Sequence, residues 1–208
     1  EREVQTIDTL LRNKQIPVAL MSGMAGTEES FKQLSGQSIT LLHVATHGFY
    51  SPLTGHYTAQ RSFEEQALSR SGLFLSGAAA SLNMKKIPED IEDGILTAKE
   101  LSKLDLSNLN LAILSACQTG LGEIVGDGVF GLQRGFKKAG AQTLLMSLWK
   151  VDDTATLLLM TEFYNKLING NSKKQSLYKA QQYLRTYQNG VYDKPEYWAA
   201  FIMLDGIN

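Results

Sequence analysis

The amino-acid sequence predicts an α/β fold, a mostly parallel sheet covered by helices on both faces. Two observations point to it. Segments with apolar residues at helical spacing alternate with short runs of Leu, Ile and Val, the pattern of strands buried on both sides. Two of those runs end in small-residue turns that carry His47 and Cys117, and sites in parallel sheets form beyond the carboxyl ends of the strands.

Taken in order, Val4, Ile7, Leu10 and Leu11 share one face of an opening helix. Ile16–Met21 reads as a short apolar strand, closed by Ser22-Gly23-Met24-Ala25-Gly26. Thr27 stands where an N-cap belongs, and Glu28 and Glu29 suit the positive end of a helix running to about Leu34. Ser38–Ala45 predicts a second buried strand that runs directly into Thr46-His47-Gly48. From Phe49 to about Gly94 there is no clear helical period. Ser51-Pro52, Gly55 and the apolar patch Gly72-Leu73-Phe74-Leu75 suggest a long excursion with one hairpin, and connections of that length are usually functional or mobile. Arg61, Arg70, Lys85 and Lys86 are read as its exposed basic sites, open to cleavage.

Regular alternation resumes with the capping box Thr97-Ala98-Lys99-Glu100. A strand follows over Asn110–Ser115, ending at Ala116-Cys117-Gln118-Thr119-Gly120. A glycine-spaced loop then leads to a helix with Val129, Leu132, Phe136 and Ala139 facing inward, stopped by Gly140. Thr143–Leu148 is the next strand. Asp152 or Asp153 caps the apolar helix that runs through Ile168, and another helix covers about Lys174–Tyr187. Trp198–Leu204 predicts a closing strand. No internal repeat or low-complexity tract occurs.

The 208 residues suit one domain over the whole of 1–208 and can bury a core without staples. Twenty Lys+Arg against 21 Asp+Glu leave a net charge of −1, which argues against a sequence-independent grip on nucleic acid. No run approaches the ~18 continuous apolar residues of a membrane span, so no membrane partner is expected. The start Glu1-Arg2-Glu3-Val4-Gln5 has neither part of a signal peptide and no Met. The chain therefore reads as part of a longer one in a reducing, cytoplasmic setting, and its single free thiol agrees with that. Cys117 is the only cysteine, which rules out an intrachain disulfide or a thiolate-rich metal site. With His43, His47 and His56 it makes up the whole stock of thiol and imidazole.

A thiolate is the strongest ordinary side-chain nucleophile, and a neighbouring imidazole can take the thiol proton. His47 and Cys117 are 117 − 47 = 70 positions apart, so only the fold can bring them together. Neighbouring parallel strands carrying them at the same end would do so. Gly48 lets backbone approach a substrate carbonyl, and the N–H groups of Gly48 and Cys117 would then form an oxyanion hole. The alternative reading of a strand-end Cys is a small buried hydrophobe, and of a strand-end His a structural polar residue.

Leu42-His43-Val44-Ala45-Thr46-His47-Gly48 and Leu114-Ser115-Ala116-Cys117-Gln118-Thr119-Gly120-Leu121-Gly122 resemble the two signature blocks of CHAT domains. These are caspase-like cysteine proteases related to separase, often joined to tetratricopeptide repeats. The likeness continues through Gly126–Leu132, Ala139-Gly140-Ala141, Ser147–Asp153 and Tyr197–Phe201. It implies a caspase-like three-layer sandwich with a long insertion after the catalytic His, His47 as general base or acid, and Cys117 as nucleophile. It also implies a protein or peptide substrate and an upstream tetratricopeptide-repeat region or activator. The generic caspase signature has Gln-Ala-Cys-[Arg/Gln/Gly]-Gly with its His about 50 residues upstream. Here Ser115 replaces that Gln, Thr119 precedes the Gly, and the His–Cys interval is longer, which excludes a true caspase but not the wider superfamily. Separase-like relatives select a basic P1 residue through an acidic pocket, and the matching segment here is Trp149-Lys150-Val151-Asp152-Asp153, with Asp153 ahead of Asp152. The rival reading is a catalytically silent or activator-dependent interaction module on the same fold.

Other signals are weaker. His43 and His47 lie four apart, but their context is too β-branched for a helix, and neither a third ligand nor a Glu base stands at metal-site spacing. No metal or cofactor is expected, His43 is read as structural, and His56 as a surface residue. Gly126-x-Gly128-x-x-Gly131 has nucleotide-loop spacing but starts nine residues after Cys117 rather than directly after the strand. Tyr178, Tyr183 and Tyr187 lie near helical spacing and suit packing or partner contact.

Overall fold

The computed structural model describes residues 2–51, 63–83, 92–115, 122–125 and 128–205. It opens with α1 (Arg2–Asn13), which buries Ile7 and lays Leu10 and Leu11 against the core. After a 3-10 turn at Gly23–Ala25, α2 (Glu28–Lys32) starts at Thr27, whose side-chain oxygen accepts the Ser30 N–H as an N-cap does. β1 (Leu41–Val44) and β2 (His47–Tyr50) follow, then α3 (Phe63–Leu68), β3 (Ser71–Phe74), α4 (Ala78–Asn83), β4 (Ile95–Thr97) and α5 (Ala98–Leu101). Next come β5 (Leu111–Leu114), β6 (Gly122–Val125), β7 (Gly128–Gly131), α6 (Leu132–Lys138) and β8 (Thr143–Ser147). The chain ends with α7 (Asp153–Ile168), α8 (Lys173–Thr186), α9 (Pro195–Trp198) and β9 (Phe201–Asp205).

The main sheet has the order β1-β5-β8-β9, parallel from β1 through β8 and closed by an antiparallel β9. Every residue of β5 and β8 is buried, which requires cover on both faces. Alternation within β5 divides the core in two. Ala112 and Leu114 join Phe31, Leu101, Leu132 and Phe136 on one side. Leu111 and Ile113 join Ile7, Leu159, Phe163 and Tyr164 on the other. Helices α1, α7 and α8 therefore cover one face, and α2, α5 and α6 the opposite one. The outcome is a largely parallel, caspase-like α/β sandwich of three layers.

Four local expectations need correction. Ile16–Met21 takes no regular secondary structure and pairs with no strand among the described residues. Gln15 takes a positive φ of 59°, Ile16 N–H returns to the Leu11 carbonyl and Arg12 binds the Val18 carbonyl, so the segment folds back on α1. The stretch after His47 is more regular than its sequence suggests, because β2, β3 and β4 form an antiparallel sheet whose Leu73 and Leu96 enter the core. Val129 stands in β7, paired with Ile124 of β6, and α6 begins only at Leu132. The β-branched Ile124-Val125 and Val129 around Gly126-Asp127-Gly128 carry the hairpin signal that helical periodicity hid. Trp198 lies in α9 and β9 starts at Phe201, because Pro195 at the first position favours a helical turn.

Local chemistry sets the other boundaries as the sequence implies. Thr97 and Glu100 form a reciprocal capping box at α5. Gly140, at φ 99°, supplies the left-handed residue that ends α6. On that face α2 and α5 are tied by Lys32, whose ammonium lies 2.7 Å from Glu28, 2.7 Å from Glu92 and 3.2 Å from Glu100. Burial pushes the Glu28 carboxyl up against the pull of Lys32. Burial alone would also raise Glu100, but hydrogen bonds from Thr97 and Lys32 bring it below its ordinary value.

Helix α6 meets α5 at Gly135, where a Cβ would lie 2.8 Å from the Ala98 carbonyl oxygen and 3.2 Å from its Cα. Alanine is intrinsically better in a helix by about 1 kcal/mol, yet here it would force the helices apart. Gly135→Ala is expected to lose about 1–3 kcal/mol, read as a lower urea midpoint at unchanged m.

Candidate functional site

Parallel pairing of β1 with β5 places Val44 opposite Leu114, and the Ser115 N–H donates to the Val44 carbonyl at 2.9 Å. The two strands therefore end side by side. His47 follows Val44 by three residues, exposed at the first position of β2. Cys117 follows Leu114 by the same three, and lies outside the described residues.

β2 pairs antiparallel with β3, His47 opposite Phe74 and Gly48 opposite Leu73. Ser51 N–H donates to the Arg70 carbonyl at 2.8 Å, so hydrogen-bonded pairs fall at every second residue back along the ladder, at Phe49 and His47. Gly48 is then a non-bonded pair, with its N–H directed away from β3. β2 is an edge strand of its sheet, so this N–H faces the sheet's open side. Thr46 steadies the link between β1 and β2 by donating its hydroxyl to the Phe74 carbonyl.

Beside these strand ends lies a polar network that sequence reasoning did not find. Glu3, in the first turn of α1, holds its Oε1 3.0 Å from His43 Nε2 and accepts the Ser115 hydroxyl on Oε2 at 2.9 Å. His43 Nδ1 lies 3.0 Å from the Tyr164 hydroxyl of α7. A carboxylate can only accept, so the tautomer with its proton on Nε2 donates to Glu3 and leaves Nδ1 to accept from the phenol. Burial, aided by the charge of Glu3, pushes the Tyr164 phenol up and keeps that proton in place. Glu3 and Ser115 are 112 positions apart, and no local pattern links them.

The segment between β8 and α7 carries the expected acidic residues. Asp152 is the N-cap of α7, its Oδ1 accepting the N–H groups of Thr154 and Ala155 at 2.9 and 3.0 Å. Asp153 is the first residue of the helix and is exposed. Trp149 is 38% exposed, and its indole N–H donates to the Glu196 carbonyl at 3.0 Å, which ties this segment to α9. Asp152, Asp153 and Trp149 thus follow β8, the strand next to β5.

A family model described as the CHAT domain matches residues 1–206. This chain belongs to the CHAT domain family. Two curated relatives match about half of it. Tetratricopeptide repeat protein 28 of Mus musculus is 34% identical over 110 residues, 53% of this chain. Tetratricopeptide repeat protein 28 of Homo sapiens is 31% identical over 114 residues, 55% of this chain. The matched region is 4% of the length of either relative, so this CHAT domain corresponds to a small part of those repeat proteins.

Among the described residues, the carboxylates of Glu28, Glu92 and Glu100 converge within 4.8 Å, and the Lys32 ammonium already sits among them. No helix among those residues is long and apolar enough to cross a membrane. Of the basic residues read as exposed cleavage sites, Arg70 is half-buried with its Nε on the Gln66 carbonyl, so it is a poor one. Arg61, Lys85 and Lys86 lie outside the described residues, as does His56.

The capping role of Asp152 can be tested by substitution. Asp152→Ala should cost about 1 kcal/mol by stripping two N–H groups of their acceptor, whereas Asp152→Asn should keep the urea midpoint near wild type because the amide oxygen still accepts.

Proposed function

We propose that this CHAT domain is a cysteine endopeptidase acting on protein substrates through His47 and Cys117. The observation that carries the reading is the register of β1 on β5, which gives both residues the same three-residue offset from a paired position. Neighbouring strands are about 4.8 Å apart, so equal offsets favour an approach of imidazole to thiol. In this reading His47 takes the thiol proton and the Cys117 sulfur attacks the scissile carbonyl. The N–H groups of Gly48 and Cys117 hold the oxyanion, and the orientation of the Gly48 N–H away from β3 supports its part. His47 then protonates the leaving amine, and water hydrolyses the thioester to return the free enzyme.

A basic P1 residue fits Asp153, which is exposed in the first turn of α7, four residues after Trp149. Asp152 contributes charge but gives one oxygen to its cap. The substrate is therefore a peptide with Arg or Lys before the scissile bond. A repeat region joined to the domain, as in the relatives' names, is the natural place for partner recognition or activation.

A second reading is favoured by those same names, which describe repeats and not peptidase activity: an interaction module that uses the sandwich without chemistry. An acyloxymethyl-ketone probe separates the two. Capture should vanish in Cys117→Ala and slow by about 10²-fold or more in His47→Ala. Capture by His47→Ala at the wild-type rate would falsify the dyad. In a peptide library the wild type should prefer Arg or Lys at P1, and Asp153→Asn should weaken that preference. Selection of Asp or bulky apolar P1 residues would remove the pocket assignment.

A further inference from the structure

We infer that Glu3 and Ser115 are a positioning pair, in which the carboxylate on α1 pins the end of β5, two residues before Cys117 in sequence. This rests on Cys117 being the nucleophile. Ser115 is the last described residue before that cysteine, two positions upstream of it. It is held from two directions, through its N–H to the Val44 carbonyl and through its hydroxyl to Glu3, each at 2.9 Å.

Glu3 is suited to this because its side chain is itself held. An exposed glutamate on a first helical turn is a loose partner, since ordering it costs rotamer entropy. Here the Glu3 side chain is 15% exposed and the His43 side chain 8%, and the chain of bonds runs on to the fully buried Tyr164. β1 and the end of β5 therefore meet α1 at one carboxylate, and α7 joins them through His43. Ile7 holds α1 against the same face by burial, so the position of the helix and the direction of the Ser115 hydroxyl are coupled. Displacing α1 would withdraw the acceptor and free the exit of β5. Small displacements of a reacting group cost large factors in rate.

The single cysteine makes this testable without a known substrate, because iodoacetamide alkylation of the full chain reads Cys117 alone. In wild type the rate should rise with pH through a midpoint below the ordinary thiol value of ~8.5, and His47→Ala should move the midpoint up. Ser115→Ala and Glu3→Ala should each raise it as well, slowing alkylation at pH 7 by roughly tenfold per unit. The double variant should be no slower than Glu3→Ala alone, since that substitution already removes the Ser115 acceptor together with the His43 contact. Glu3→Gln should recover part of the rate, its amide oxygen still accepting from Ser115. Ser115→Ala deletes one hydroxyl and stays informative even where Glu3→Ala fails to fold. If His47→Ala shifts the midpoint while Ser115→Ala and Glu3→Ala do not, or if their effects add, the pinning is wrong and the nucleophile assignment stands. An ordinary midpoint that is insensitive to His47 overturns both.

Discussion

The register between β1 and β5 is the constraint on which the rest of this CHAT domain depends. β5 is Leu-Ala-Ile-Leu, buried throughout, so a one-residue slip would exchange its two faces without exposing a polar group. Shape and end contacts decide the pairing instead. The small Ala112 lies on the face that receives Phe31 and Phe136, where a larger side chain would overpack. At one end of the pairing Asn110 and Leu111 N–H groups both meet the Thr40 carbonyl, and at the other Ser115 N–H meets Val44. These bonds bracket the ladder and give the segments after β1 and β5 a common origin.

At that common end the apolar layers give way to polar ones. Tyr164, His43, Glu3 and Ser115 are linked without interruption. A buried polar chain of this kind is stabilising only when each member is satisfied. The cost of leaving His43 and Ser115 without their Glu3 partner holds α1 in place, beyond the burial of Ile7. Glu3 stands in the first turn of its helix, where the helix dipole favours a negative charge. Stability and the geometry of the strand ends are therefore supplied by the same groups.

Much of this was legible in the residues. The capping residues Thr27 and Thr97, the stop at Gly140, the buried strands β5 and β8 and the long helices α7 and α8 all followed from short-range chemistry. What failed, failed where a strand needs a distant partner. Ile16–Met21 has strand composition but no ladder, because Arg12 and Leu11 take its backbone groups. The sequence suggests a glycine-spaced loop entering a helix at Val129, whereas Gly122–Val125 and Gly128–Gly131 pair as a hairpin. Of the three-stranded sheet after His47 the sequence suggests only an apolar patch and one hairpin, since its strands are four, four and three residues long and carry too little periodicity.

By itself, the sequence determined the fold class, the family and the stock of reactive groups, because these rest on local pattern and on the scarcity of cysteine and histidine. Only the tertiary structure decided which groups stand together. It gave the Trp149 indole to Glu196 and directed the Gly48 N–H outward. It also recruited Glu3 from the far end of the chain to Ser115. Each of those outcomes depends on contacts between residues distant in sequence, and packing, not propensity, sets them.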